Sequence, residues 1–386
     1  MSWTREERFL ALISAQELGK RKIALVKKEL MEPLDWSFLV YKAMQGGLAP
    51  LLYRHCHDLR LSKFMPKWVE ERLKGTYHLT VSQNLKILAF LTDLAKILKD
   101  YNVPVIVLQG ASLLVDTYKD IGIRPMEDVD LMVSPENRVH FKKILEQMGY
   151  SPDPIYPDTY RKGKIYVDLH TDPLASERIS SRKLVIDTDP KGLWDPAIAL
   201  FGPEFPIYHL SVYNNLIFLS LHLLKHNLTR LVWFLDIREV IESKSSSFNW
   251  EEFVSYCWRV GGNRLILYVF LLLRHLLDME VPDSALETLG KNRLSTIEKL
   301  ILKLRLKNEE IGYITQLLWL FLIKQKKIYF ILENIFPKKE IMAQIFPSSP
   351  HTFRIYVLRL VDLLSHGLYY LFLAIRVIIQ GGFVRL

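Results

Sequence analysis

Two cysteines in 386 residues, Cys56 and Cys257, leave no material for a disulfide framework, a CxxC redox motif or a Cys/His zinc ribbon. Such a chain suits a reducing cytoplasm. The 17 glycines form neither a Walker A loop nor a GxSxG elbow, which excludes P-loop and α/β-hydrolase chemistry. Long apolar runs are missing too. A spanning helix requires roughly 18–20 consecutive apolar residues, but the stretch 314–323 ends at Lys324, and 363–380 is interrupted by His366 and Arg376. Arg5, Glu6, Glu7 and Arg8 precede any apolar run able to act as a signal core. The expectation is a soluble, cytoplasmic protein with no transmembrane segment.

What remains is an ordinary globular composition, 49% hydrophobic, 12% aromatic and 24% charged, which excludes a disordered tail or a collagen-like repeat. The net charge of +9 is unevenly spread. From Lys291 onward there are 15 Lys and Arg against 6 Asp and Glu, so this part holds the whole excess. A basic C-terminal part suits a polyanion or an anionic membrane surface as partner; the plainer alternative is a solvated face that keeps apolar helices in solution.

Apolar residues at three- and four-residue spacing predict helices over 9–18, 36–59 and 68–100, with Gly46-Gly47, Pro33 and Pro66 as punctuation. The period then changes. Short β-branched runs predict strands at 103–108, 128–133 and 165–170, alternating with helices at 111–118 and 135–148. Helical periodicity returns after Phe205, most clearly at 214–226, 231–243, 250–277 and 294–307. This predicts an α+β protein: a small mixed sheet over 101–204, between a helical N-terminal region (1–100) and a helical C-terminal region (205–386), basic from about 291.

The chemistry concentrates in 105–133, VIVLQGASLLVDTYKDIGIRPMEDVDLMV. Alternate residues of a strand share a face, so Asp128 and Asp130 project together while Val129, Leu131 and Val133 enter the core. Adjacent carboxylates repel unless a cation separates them, and Mg²⁺ takes hard oxygen ligands together with nucleotide phosphates. Gly110-Ala111-Ser112 opens a helix just after a strand, where small residues and free amides suit a phosphate. Asp168 and His170 share a face of a later strand, and a third carboxylate there would complete a two-metal site.

This constellation resembles the polymerase-β-like nucleotidyltransferase superfamily, and within it a bacterial family of uncharacterised nucleotidyltransferases. The likeness runs through VPVIVLQGASLL, similar to the family's strand followed by Lys-Gly-Ala-Ala, and YKDIGIRPMEDVDLMV, similar to its Gly-x-Arg-Pro…Asp-x-Asp-Leu-x-Val. It continues through VDLHTD and through LSLHLLKHNLTRLVWFLDI, similar to a helical His…His…Trp…Asp segment. Two departures stand out. Gln109 replaces the more usual Lys, so a cationic phosphate contact is either absent or supplied by Lys119 or Arg124, and the gap from Ala111 to Asp128 is longer than the superfamily's shortest pattern.

The resemblance implies Mg²⁺-dependent (or Mn²⁺-dependent) transfer of a nucleoside monophosphate from an NTP, ATP foremost, to an unknown acceptor, with release of pyrophosphate. It implies that Asp128 and Asp130 hold the metals and that Asp168 is a third ligand or the base. Gly110, Ala111 and Ser112 would then cradle the triphosphate. Arg124 either reaches a phosphate or pairs with Asp120 or Glu127. His222 and His226, one helical turn apart, suit packing against the sheet or a metal, with Lys225 beside them and Asp236 placed to fix a histidine tautomer. Two rival readings use the same residues: a DxD metal-dependent glycosyltransferase, and a non-catalytic nucleotide-binding or partner-docking module.

Overall fold

The computed structural model describes residues 3–172, 174, 179–186, 192, 194, 196–306, 312–339, 341–342 and 352–379. Five helices come first: α1 (Arg5–Ile13), α2 (Lys20–Glu29), α3 (Trp36–Gly46), α4 (Ala49–Asp58) and α5 (Lys67–Tyr101). Thr4 and Glu7 cap α1 reciprocally, which starts it earlier than its apolar spacing suggests. The single helix expected over 36–59 is two helices, because Gly47 turns left-handed at φ 74°. Helix α5, 35 residues and about 52 Å long, joins two cores. Its Val69 and Leu73 belong to the helical core, and its Ile87, Phe90, Leu91, Leu94 and Leu98 lie under the sheet.

Seven strands form one mixed sheet: β1 (Val105–Val107), β2 (Asp128–Met132), β3 (Ser151–Pro152), β4 (Thr159–Lys162), β5 (Ile165–His170), β6 (Ile198–Ala199) and β7 (Ile207–His209). Their order is β3-β4-β5-β2-β1-β7-β6. Strands β2 and β5 run parallel and pair Asp130 with Asp168, whereas β1 and β2 are antiparallel. Helix α6 (Gln109–Asp116) leaves directly from β1, and α7 (Arg138–Gln147) follows β2. One sheet face, carrying Val105, Val107, Val129, Leu131, Val167 and Leu169, is buried on α5 and on Phe141, Ile144 and Leu145 of α7. Burying each such side chain contributes about 1.5–3 kcal/mol, so the alternation that drives them inward also fixes Asp128, Asp130, Asp168 and His170 on the opposite face. The architecture is α+β, mostly helical with the mixed sheet in the middle, as expected.

The sheet also extends beyond the expected strands. The segment after Gly149 reads as a polar loop, yet β4 and β5 form a hairpin around Gly163 (φ 60°), in which Tyr160 alone of β4 is buried. Strand β7, three residues long, lies past residue 204 and pairs with β1.

The helical C-terminal region contains α8 (Val212–Lys225), α9 (Leu231–Ser243), α10 (Trp250–Val260), α11 (Asn263–Leu276), α12 (Asp283–Leu289), α13 (Thr296–Leu306), α14 (Gln316–Leu322), α15 (Lys327–Ile335) and α16 (Thr352–Ile379). The helix expected over 250–277 is broken at Gly261 (φ 78°). The carboxylate of Glu333 on α15 accepts hydrogen bonds from the backbone and hydroxyl groups of both Ser180 and Ser181, at 2.5–2.9 Å. Among the described residues no helix is long and apolar enough to cross a membrane.

Candidate functional site

The exposed face of β2 opens into a cleft of about 260 Å³. It is lined by Gln109 and Gly110, by residues 124–128 and Asp130, and by His222, His226, Arg230 and Trp233 of the helical C-terminal region. Solvent reaches Asp128 at the open end of the strand. Burial, and then the negative charges of Asp130 and Asp168, push its carboxyl up to about 7. Asp130 behaves oppositely. Burial disfavours its charge, but His170 Nε2, 2.8 Å from Oδ1, holds the carboxyl below its usual range, and the same bond raises the His170 imidazole against the effect of burial. Asp168 is raised mainly by burial, while Thr159 Oγ1 donates to its Oδ1 at 2.5 Å.

Asp130 and Asp168 in register on neighbouring strands, with Asp128 two residues away and raised to about 7, are the donor chemistry that suits a hard divalent cation. As the side chains stand, no three His, Cys, Asp or Glu groups among the described residues are close enough to hold an ion.

Gly110 is buried at the cleft, and it is glycine for a steric reason. A Cβ there would lie 2.6 Å from Arg124 Nη1 and 2.7 Å from Met126 Sδ. The first amides of α6 lack intrahelical acceptors, and no side chain caps them. Gln109 enters the helix in a left-handed conformation, φ 52°, which a non-glycine residue adopts at a cost. Ala111 and Ser112 pack behind Gly110, each 2% exposed, and the Ser112 hydroxyl donates to the Gln109 carbonyl. Of the three small residues, Gly110 alone lines the cleft.

Arg124 pairs with neither Asp120 nor Glu127. Its Nε and Nη2 grip Oδ1 and Oδ2 of Asp236 at 3.1 and 2.7 Å, and its Nη1 donates to the Pro125 carbonyl. Asp236 is 1% exposed and also accepts from Tyr118, so it is the anchor of Arg124, not the partner expected for a histidine. The loop that carries Arg124 is pinned from α5. Asn84 Nδ2 donates to the carbonyls of Ile121 and Arg124, and the Tyr77 hydroxyl donates to Asp120. Lys119 is not among the residues lining the cleft.

The imidazoles of His222 and His226 lie 4.5 Å apart against the Trp233 indole. Burial pushes His222 far below its usual pKa, and burial with nearby Lys225 takes His226 down to about 4, so both are neutral. Lys225 and His170 line a smaller cavity behind the cleft with Arg182. Arg230, stacked 5.4 Å over Trp233 and 3.6 Å from Glu127, is a wall residue the motifs did not mark. Its position, three residues before the Trp of the His…His…Trp…Asp segment, is the signal that was available.

A family model described as uncharacterised nucleotidyltransferase matches residues 32–278, spanning the cleft, the sheet and helices α3 to α11. The chain belongs to that family. No curated protein and no solved structure matches it. The matched region ends before the basic C-terminal helices.

Proposed function

We propose that this nucleotidyltransferase transfers a nucleoside monophosphate from an NTP, ATP foremost, to an acceptor hydroxyl and releases pyrophosphate. The observation that carries the reading is the face shared by Asp128, Asp130 and Asp168, beside a cleft that Gly110 lines at an uncapped helix start. Asp128 and Asp130 would hold Mg²⁺ or Mn²⁺, with Asp168 as third ligand or as base. A bound Mg²⁺ supplies charge neutralisation of the triphosphate and polarisation of the reacting oxygens.

The chain's own groups do the rest. Gly110 lets the phosphates approach the first amides of α6. Arg124, fixed by Asp236, adds positive potential to the wall without reaching out as a mobile clamp. Arg230 and the neutral His222–Trp233 wall enclose the remainder of the nucleotide. The acceptor oxygen attacks the α-phosphorus, the α–β bridging bond breaks, and pyrophosphate leaves with the displaced charge. With Oδ1 occupied by Thr159, the second oxygen of Asp168 receives the acceptor's proton if Asp168 serves as base.

Incubation of the full chain with α-labelled NTPs, Mg²⁺ and a panel of hydroxyl acceptors tests this. Labelled acceptor and pyrophosphate from the wild type, and neither from Asp130→Asn, is the expected result. Equal pyrophosphate release by a folded Asp130→Asn protein would overturn it.

A further inference from the structure

Exposed apolar side chains gather on α15 and α16. On α15, Ile328, Ile331, Leu332 and the following Phe336 face outward while Phe330 and Glu333 are buried. On α16, Val357, Val361, Leu364 and Leu368 stand at i, i+4, i+7 and i+11, one stripe of the helix. Leu364 and Leu368 are 69% and 70% exposed. The two helices pack together, with the rings of Phe336 and Tyr356 6.2 Å apart and the Tyr356 hydroxyl on the Pro337 carbonyl.

Among the described residues, the exposed charges around this face are cations. Lys324, Lys326, Lys327, Lys338, Lys339 and Arg354 are exposed. Among the described residues of 312–369 the acids are Glu333, turned inward onto Ser180 and Ser181, and Asp362, half-buried against Arg359 and His366. An apolar face rimmed by cations, on helices too polar to cross a bilayer, fits the interface of an anionic membrane. RNA would satisfy the lysines but leave the leucine stripe in water. A second copy of the chain would bring lysine against lysine.

We infer that α15 and α16 form a membrane-docking face, which seats the stripe of Val357, Val361, Leu364 and Leu368 in the headgroup region of an anionic bilayer. This goes beyond the transfer reaction and does not depend on it.

The full chain is sedimented with vesicles of neutral phosphatidylcholine, and with vesicles that also contain phosphatidylserine. Binding to the anionic vesicles alone is expected, weakening as salt rises. Leu364→Asp/Leu368→Asp and Lys326→Glu/Lys327→Glu should each reduce partitioning by at least about tenfold. All these residues are exposed, so thermal melts should not change. Absence of vesicle binding at low salt would overturn the inference, as would undiminished binding of the double Asp variant. Binding of a homopolymeric RNA without vesicle binding would give the face to nucleic acid. A dimer dissolved by the Asp pair, again without vesicle binding, would give it to a second copy.

Discussion

The guanidinium of Arg124 and the carboxylate of Asp236 meet as a buried two-pronged pair, 112 positions apart in sequence, and this pair closes the wall of the cleft beside Gly110. Removing one partner of a buried pair leaves an uncompensated charge, which costs about 3–5 kcal/mol. Asp236→Ala should therefore lose about that much unfolding free energy in urea titration. Replacing both residues should cost less than the sum of the two single changes. Additive losses would show that the pair acts only as two independent packing groups.

Gly110→Ala places a methyl group against Arg124 and Met126 at 2.6–2.7 Å. Arg124 or Met126 must shift, and both line the cleft assigned to the nucleotide. NTP affinity measured by calorimetry should fall at least about tenfold, because a misplaced group at a phosphate site disrupts both charge and shape. Unchanged affinity would remove Gly110 from the nucleotide site.

Asp168→Asn keeps an oxygen for the Thr159 hydroxyl and so should preserve the fold. Transfer should drop by orders of magnitude while NTP binding is largely retained. Near-normal turnover in a protein with an unaltered melting curve would take Asp168 out of the reaction.

His55, 5% exposed, donates a hydrogen bond from Nε2 to the Ala15 carbonyl, and burial lowers its pKa to about 4 from the ordinary 6.5. A depressed histidine pKa means that the unfolded chain binds more protons between these values. Stability from this residue is complete above pH 6.5 and declines as pH falls toward 4, by up to ~3 kcal/mol. The urea midpoint of the wild type should fall more steeply between pH 7.5 and 5 than that of His55→Gln. Parallel slopes would assign the acid sensitivity to other groups.

Local periodicity made much of this structure legible. The residues of β5 and α9 follow directly from alternation and from helical spacing, although α9 is buried all round over residues 234–241. The DxD strand was legible for the same reason. Elements whose signal is a single residue were not. Strand β4 buries Tyr160 alone, and the breaks at Gly47 and Gly261 rest on backbone angles inside otherwise continuous apolar patterns. Within the site, the carboxylates and Gly110 could be read from spacing. The partner of Arg124 could not, since Asp120 and Glu127 are its neighbours in the chain whereas Asp236 is its neighbour in space. Ser112 likewise bonds the Gln109 carbonyl, a local choice of short hydroxyl side chains that no motif records.

The Glu333 carboxylate, fastened to two consecutive serines, joins α15 to the segment that carries Arg182 to the cavity behind His170. The outward face of α15 is therefore braced against the body that holds the cleft, with little freedom to swing as an appendage. Resting that face on a bilayer would set both the height and the tilt of the cleft above the lipid. Acceptors would then be sampled from a thin layer of fixed depth, and reach, as much as affinity, would decide which hydroxyl is modified.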